Sequence, residues 1–191
     1  MSEVRQEFSE QFCSDRMVDV EFLGVWDTVG ALTGPAEERR HVIVPGSHVK
    51  RARHAVALDE FREQFMPDLL GSTHPGHKEV WFAGAHSDVG GQYSDDRTLS
   101  NYSLHWMMNE AKKRGLVVDQ EELDMYEQGV NGSGVLHDSL AGGWIGGVKV
   151  LRKVPVNAQI HLSAAARAFN QSIDYEPENV LSLEGKVRIV I

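Results

Sequence analysis

EVWFAGAHSDVGGQY, Glu79 to Tyr93, decides how this chain is read. With Lys78 in front, its first part is an apolar run of strand length, and the spacing predicts a strand over 78–85. The strand runs out in a histidine, an aspartate and two glycines. Gly90 and Gly91 let the backbone leave the strand sharply, and Asp88 belongs to the same turn. Functional groups of open α/β sheets gather at the carboxyl ends of strands. That position makes His86 a candidate for chemistry, although it is one of nine histidines.

Working outward, VDVEFLGVW (18–26) starts with alternation and becomes continuously apolar. It reads as a strand buried on both faces near its end, and it stops at Asp27. Ser47 reads as an N-cap. Behind it Val49, Ala52, Val56 and Ala57 mark the apolar face of a helix running to Phe65. A further helix is expected over 99–115, capped by Ser100 and ended by Gly115, with Leu104, Met107, Met108 and Ala111 inward. Strand, loop, helix, strand, loop, helix is the order of a parallel α/β sheet. The fold class expected is therefore α/β, a mostly parallel sheet flanked by helices, in a single domain over 1–191 with an irregular C-terminal region. Val4, Phe8 and Phe12 space a helix over 2–13, and HVIVP (41–45) is a short strand or extended loop. An acidic helix is expected over 119–127, a glycine-rich loop around Trp144 over 128–148, and a helix over 161–170. YEPENV (175–180) reads as a turn and KVRIVI (186–191) as an edge strand.

Charge narrows the partners. The net charge is −9, from 28 acidic and 19 basic residues. No nucleic-acid partner is expected, because phosphate contacts need clustered Lys and Arg. The densest basic stretch, KRARH (50–54), reads as the solvated start of the helix after Ser47. The single cysteine, Cys13, allows neither a disulfide within the chain nor a Cys-based zinc site. His74 and His77 in HPGH sit in a Pro/Gly loop with no helix to align them, so no metal is expected. GGWIGG (142–147) follows no strand and opens no helix, and no dinucleotide cofactor is expected. The N-terminus lacks the apolar core of a secretory leader, and no apolar run approaches the roughly 18 residues of a membrane span. The expected location is cytoplasmic at synthesis, with export without a cleavable signal left open.

Asp27 and His86 thus each follow a strand, in the chain order of the last two members of a Ser–Asp–His triad. His86 would be the general base, and Asp27 would hold its tautomer. Spacing alone leaves other readings open: Asp27 as a loop cap, His86 as a turn residue.

FLGVWDTVGAL (22–32), RHAVALDEFREQFMP (53–67), EVWFAGAHSDVGGQY (79–93) and LSNYSLHWMMNEAKKRGL (99–116) resemble successive blocks of one bacterial and fungal family. It is the α/β-hydrolase domain family that contains the type VI secretion phospholipase effectors. HDSLAGGW (137–144) and IHLSAAARAFNQSIDYEPENV (160–180) resemble its downstream part. The resemblance implies an ester hydrolase fold with members that cleave phospholipids. It puts Asp27 at the triad acid, His86 at the triad base, and Asp88, Gly90 and Gly91 in the loop that shapes the base. Asp59 and Glu60 match a recurrent acidic pair on a helix, whose plain reading is an ion pair with Arg53 or Arg62.

One departure matters. The family's nucleophile lies in a Gly-x-Ser-x-Gly-like elbow, and no such motif occurs in these 191 residues. Ser9 has neither flanking glycines nor a strand before it, and Ser87 adjoins His86, where the side chains of neighbouring residues at a strand end point apart. Ser133 has glycines on both sides but no strand before it. The expectation is the C-terminal portion of a hydrolase domain, with a lipid ester as substrate and the serine supplied from elsewhere. An open sheet edge would then favour a homo-oligomer or a heteromer with a Ser-bearing chain. An inactive remnant and a non-catalytic binding module are the alternatives.

Overall fold

Alternation along the central strands sorts the apolar residues onto two faces. In the computed structural model, residues 7–8, 10–11, 18–30, 45–71, 74–126, 131–141, 149–183 and 185–191 are described. They contain five strands: β1 (Leu23–Trp26), β2 (Ala52–Ala57), β3 (His77–Phe82), β4 (Gln159–His161) and β5 (Arg188–Val190). All neighbours pair in parallel, and their order across the sheet is their order in the chain. The helices are α1 (His86–Gly90), α2 (Thr98–Lys112), α3 (Gln120–Met125), α4 (Leu162–Phe169) and α5 (Glu178–Leu181). This is an α/β fold.

Ala55, Ala57, Val80 and Phe82 face Leu99, Tyr102, Trp106 and Met107 of α2. Val56, Trp81 and Ile160 face the other way, with Ala164 of α4. A parallel sheet covered on both faces needs strands that are apolar on both sides, and all six residues of β2 are buried. Each fully buried side chain such as Val56 or Val80 contributes on the order of 1.5–3 kcal/mol.

β2 corrects the sequence reading most. The segment expected as a helix after Ser47 is a strand, and KRARH is not its solvated start. A strand buried on both faces carries no period-2 signature, so its apolar positions fit helical spacing by accident. Two polar residues completed the disguise. Arg53 is only 8% exposed and His54 is fully buried. Arg53 ion-pairs with Glu110 of α2 and donates to the carbonyls of Ala52 and Gly76 at 2.9 Å. Asp59 and Glu60 accordingly follow a strand rather than riding on a helix.

Smaller corrections follow from packing. α2 begins at Thr98, whose N–H is held by Asp96 at 2.7 Å, so Ser100 lies inside the helix. Its inward face uses Leu99, Tyr102 and Trp106 with Met107 and Ala111, while Leu104 and Met108 are half-buried. YEPENV runs into the short helix α5 rather than remaining a turn. β3 starts at His77, and the rings of His74 and His77 stack at 4.3 Å. β5 is the sheet edge expected from KVRIVI. Glu7, Phe8, Glu10 and Gln11 are helical and exposed. Cys13, Trp144 and nearly all of HVIVP lie outside the described residues.

Candidate active site

β1, β2 and β3 end side by side, and each hands a polar side chain to the same place. Asp27 follows β1 directly. Its N–H donates to Ala55 O at 2.7 Å, and its φ of +40° takes the chain out of the strand. Aspartate is one of the few non-glycine residues that enters this left-handed region readily. The carboxylate is fully buried and fully partnered. Oδ1 accepts from Ala57 N–H at 2.8 Å and from Arg152 Nη1 at 2.5 Å, and Oδ2 accepts from Arg152 Nη2 at 2.9 Å. Arg152 also donates to Ala57 O at 2.7 Å and to Phe65 O. Burial would raise the carboxyl, but the hydrogen bonds from His86 and Arg152 outweigh it and hold Asp27 at about 2.

His86 Nδ1 lies 2.8 Å from Asp27 Oδ2. Against a carboxylate that accepts, Nδ1 carries the proton and Nε2 carries the lone pair. The imidazole is 23% exposed, and no hydrogen bond among the described residues engages Nε2. The Phe65 ring packs against the imidazole in a T-shaped arrangement, with centroids 5.1 Å apart and planes at 72°. His86 opens α1, and its backbone N–H donates to Glu60 Oε2 at 3.2 Å. Glu60 is held in turn by Arg62 through N–H, Nε and Nη2 at 2.7–2.9 Å. The ion pair expected of the acidic pair is therefore Glu60–Arg62. Asp59 instead accepts from Gly84 N–H at 2.7 Å and from the Tyr175 hydroxyl at 2.9 Å.

Asp88 accepts the N–H of Ala85 at 2.9 Å, which ties the turn just before His86. Of the two glycines in the motif, Gly91 has the left-handed backbone (φ +80°), and a Cβ at Gly90 would meet nothing within 4 Å. Gly84, which the sequence reading passed over, matters more. Its φ is +122°, and a Cβ there would lie 2.5 Å from Cβ of Asp88.

Two further residues at this site were missed. Arg152, in the irregular stretch before β4, is 1% exposed and grips Asp27 with both terminal nitrogens. His54 Nε2 accepts from Thr28 N–H at 3.0 Å and steadies the turn after Asp27. Burial pushes His54 down to about 4, so it stays neutral. Arg152 sits in no motif, and His54 falls within the 53–67 block without a role assigned to it there. Among the described residues no serine hydroxyl bonds to His86. Ser87 Oγ donates to Gln92, and Ser163 Oγ bonds to its near neighbour His161 inside the core. No group of three His, Cys, Asp or Glu side chains able to hold a metal occurs among the described residues. Nor does any helix there have the length and apolarity to cross a membrane.

The parallel sheet of this α/β fold thus carries a buried aspartate and a partly exposed histidine side by side at its carboxyl edge. The family model for the catalytic domain of Tle1-like type VI secretion phospholipase effectors matches residues 2–110, more than half of the chain, and the chain belongs to that family of phospholipase-type hydrolases. No curated protein and no solved structure matches it.

Proposed function

We propose that this chain supplies the base and the acid of a triad that hydrolyses a phospholipid ester, with His86 as base and Asp27 as its orienter. The observation that carries this reading is the 2.8 Å contact between His86 Nδ1 and a carboxylate already fixed by Arg152. With Nδ1 tied, Nε2 takes the proton of a serine as its Oγ attacks the ester carbonyl. It then returns that proton to the departing alkoxide. A water repeats the cycle on the acyl-serine and releases the fatty acid. The serine comes from a Gly-x-Ser-x-Gly-like elbow outside these 191 residues, on a partner chain or on a further segment of the protein.

The half-buried residues of β1, against the fully buried β2, favour such a partner, because an apolar strand edge invites pairing. The same edge supports a second reading, a binding module derived from the hydrolase and acting through protein contacts. The deciding experiment combines the chain with the Ser-bearing segment and follows fatty-acid release from phospholipid vesicles. Activity that vanishes in His86→Ala supports the triad. Activity that survives it sinks the reading. A stable complex with no hydrolysis at all favours the binding module.

A further inference from the structure

A second histidine sits between two carboxylates near the base. His137 Nδ1 lies 2.6 Å from Asp88 Oδ1, and its Nε2 lies 3.1 Å from Asp95 Oδ2. Its backbone N–H donates to Asp88 Oδ2 at 3.1 Å. A neutral imidazole offers one N–H and one lone pair. Facing an acceptor at both nitrogens, it satisfies both only as an imidazolium that donates twice. The Tyr93 ring stacks on it with centroids 3.6 Å apart and planes 14° apart, an arrangement that favours a cation. No ring nitrogen is left to accept a proton, so His137 is not a second base.

Its connection to the base runs through Asp88. The oxygen of Asp88 that receives His137 N–H also receives the N–H of Ala85, the residue immediately before His86. We propose that His137 is a positioning residue: as an imidazolium it clamps the 131–141 segment onto α1 through Asp88 and Asp95, and so fixes the turn that carries His86. Its functional meaning rests on His86 being the base, whereas the clamp itself does not.

The charged groups around the clamp are mostly acidic. Asp88 comes from α1, and Asp95 and Asp96 come from the connection to α2. Asp96 is engaged with the N–H groups of Thr98 and Val135. Asp138 follows in the chain and holds Leu140 N–H. Beyond Tyr93, Arg62 and Glu60 act on its ring with opposite signs. From α4, Arg167 anchors the same segment by donating to the carbonyls of Gly132 and Gly134. Burial opposes the charge on His137, but the hydrogen bonds to Asp95 and Asp88 prevail and raise it above the ordinary histidine value. A raised base stabilises fully below its unfolded value of 6.5, and the contribution is lost as pH rises through the folded value.

Amide hydrogen exchange on the intact chain tests this. The clamp requires that protection of the Ala85 and His137 amides, corrected for intrinsic rate, fall about tenfold between roughly pH 5.5 and pH 8.5, the loss of one charge-assisted bond. In His137→Ala the Ala85 amide is poorly protected at both pH values, while β2 and β3 amides keep their protection. Equal Ala85 protection in wild type and His137→Ala, or none that changes with pH in wild type, overturns the clamp. If His137→Ala fails to fold, Asp95→Asn decides through the ring resonances of His137. Their titration moves to lower pH if the clamp is real, and an unmoved midpoint overturns it. Hydrolysis separates the two proposals: lost Ala85 protection with full activity in His86→Ala leaves the clamp standing and removes the triad.

Discussion

Two histidine–aspartate pairs meet at one five-residue helix, and they are finished differently. In the first, Asp27 is fully buried and held from three sides, while His86 has one nitrogen tied and the other open. In the second, both nitrogens of His137 face carboxylates and its ring lies against Tyr93. The carboxylate neighbour is common to both, so it does not by itself separate the proposed base from the proposed clamp. The unused lone pair does. Arg152 sharpens the contrast. By neutralising Asp27 it turns that carboxylate into an orienting acceptor more than a source of negative field for His86.

The widest gap between the pairs is expected in catalysis. In a complex completed with the Ser-bearing segment, His86→Ala should lower kcat for phospholipid hydrolysis by about 10³-fold, within the range of a lost general base. His137→Ala should cost only about tenfold, since it moves a supporting turn rather than removing the proton acceptor. Equal losses in the two variants would erase the distinction.

Stability should set Arg152 apart from His86. Arg152→Met leaves Asp27 as a buried charge without its partner and frees the carbonyls of Ala57 and Phe65. The expected cost is about 3–5 kcal/mol, read from the urea midpoint. His86→Ala, at a partly exposed side chain, should shift that midpoint little.

A third test uses pH. Burial pushes Asp59 up to about 6, against the Gly84 N–H and Tyr175 hydroxyl that favour its charge. Its folded value is raised, so its contribution is complete below about pH 4 and is lost as pH rises through 6, up to ~3 kcal/mol. Asp59→Asn should remove that slope from a series of urea titrations. Asp27 works with the opposite sign. Its contribution is present above about pH 4 and is lost as pH falls toward its folded value of about 2. A wild-type profile as flat as that of Asp59→Asn would contradict the raised carboxyl that burial gives Asp59.

These residues also mark where the sequence could be read. β1 and β3 follow from apolar runs that stop at Asp27 and His86, and α2 from helical spacing that stops at Gly115. The sequence expectation for Asp27 and His86 rested on the same signal, as the polar residues at which two apolar runs end, and the two meet in the fold. β2 was not legible, because burial on both faces removes periodicity and because Arg53 is neutralised by Glu110, which lies far along the chain. Arg152 and His54 escaped notice on similar grounds. Each acts through contacts far along the chain, Arg152 with Asp27, Ala57 and Phe65 and His54 with Thr28, and neither residue type nor local spacing reveals such partners. His137 stood inside HDSLAGGW, but its meaning depends on Asp88 and Asp95 folding back to meet it.

The smallest effects should come from the glycines, and their order tests how the base turn is built. Gly90 and Gly91 read alike in sequence, yet only Gly91 has a left-handed φ, and Gly84 has both a left-handed φ and a blocked Cβ direction. Gly84→Ala should be the costliest of the three, about 1–3 kcal/mol from backbone strain alone, because its methyl would push Asp88 away from Ala85 and His137 together. Gly91→Ala should cost about 1 kcal/mol, since its Cβ would meet Ser100 at an ordinary 3.6 Å and only the backbone objects. Gly90→Ala should stabilise by roughly 0.5 kcal/mol, as a helical position with open space around it and a less flexible unfolded chain. Urea midpoints of the three variants give the ranking directly. If Gly90→Ala destabilises as much as Gly84→Ala, the turn before His86 is not the joint that links the two pairs.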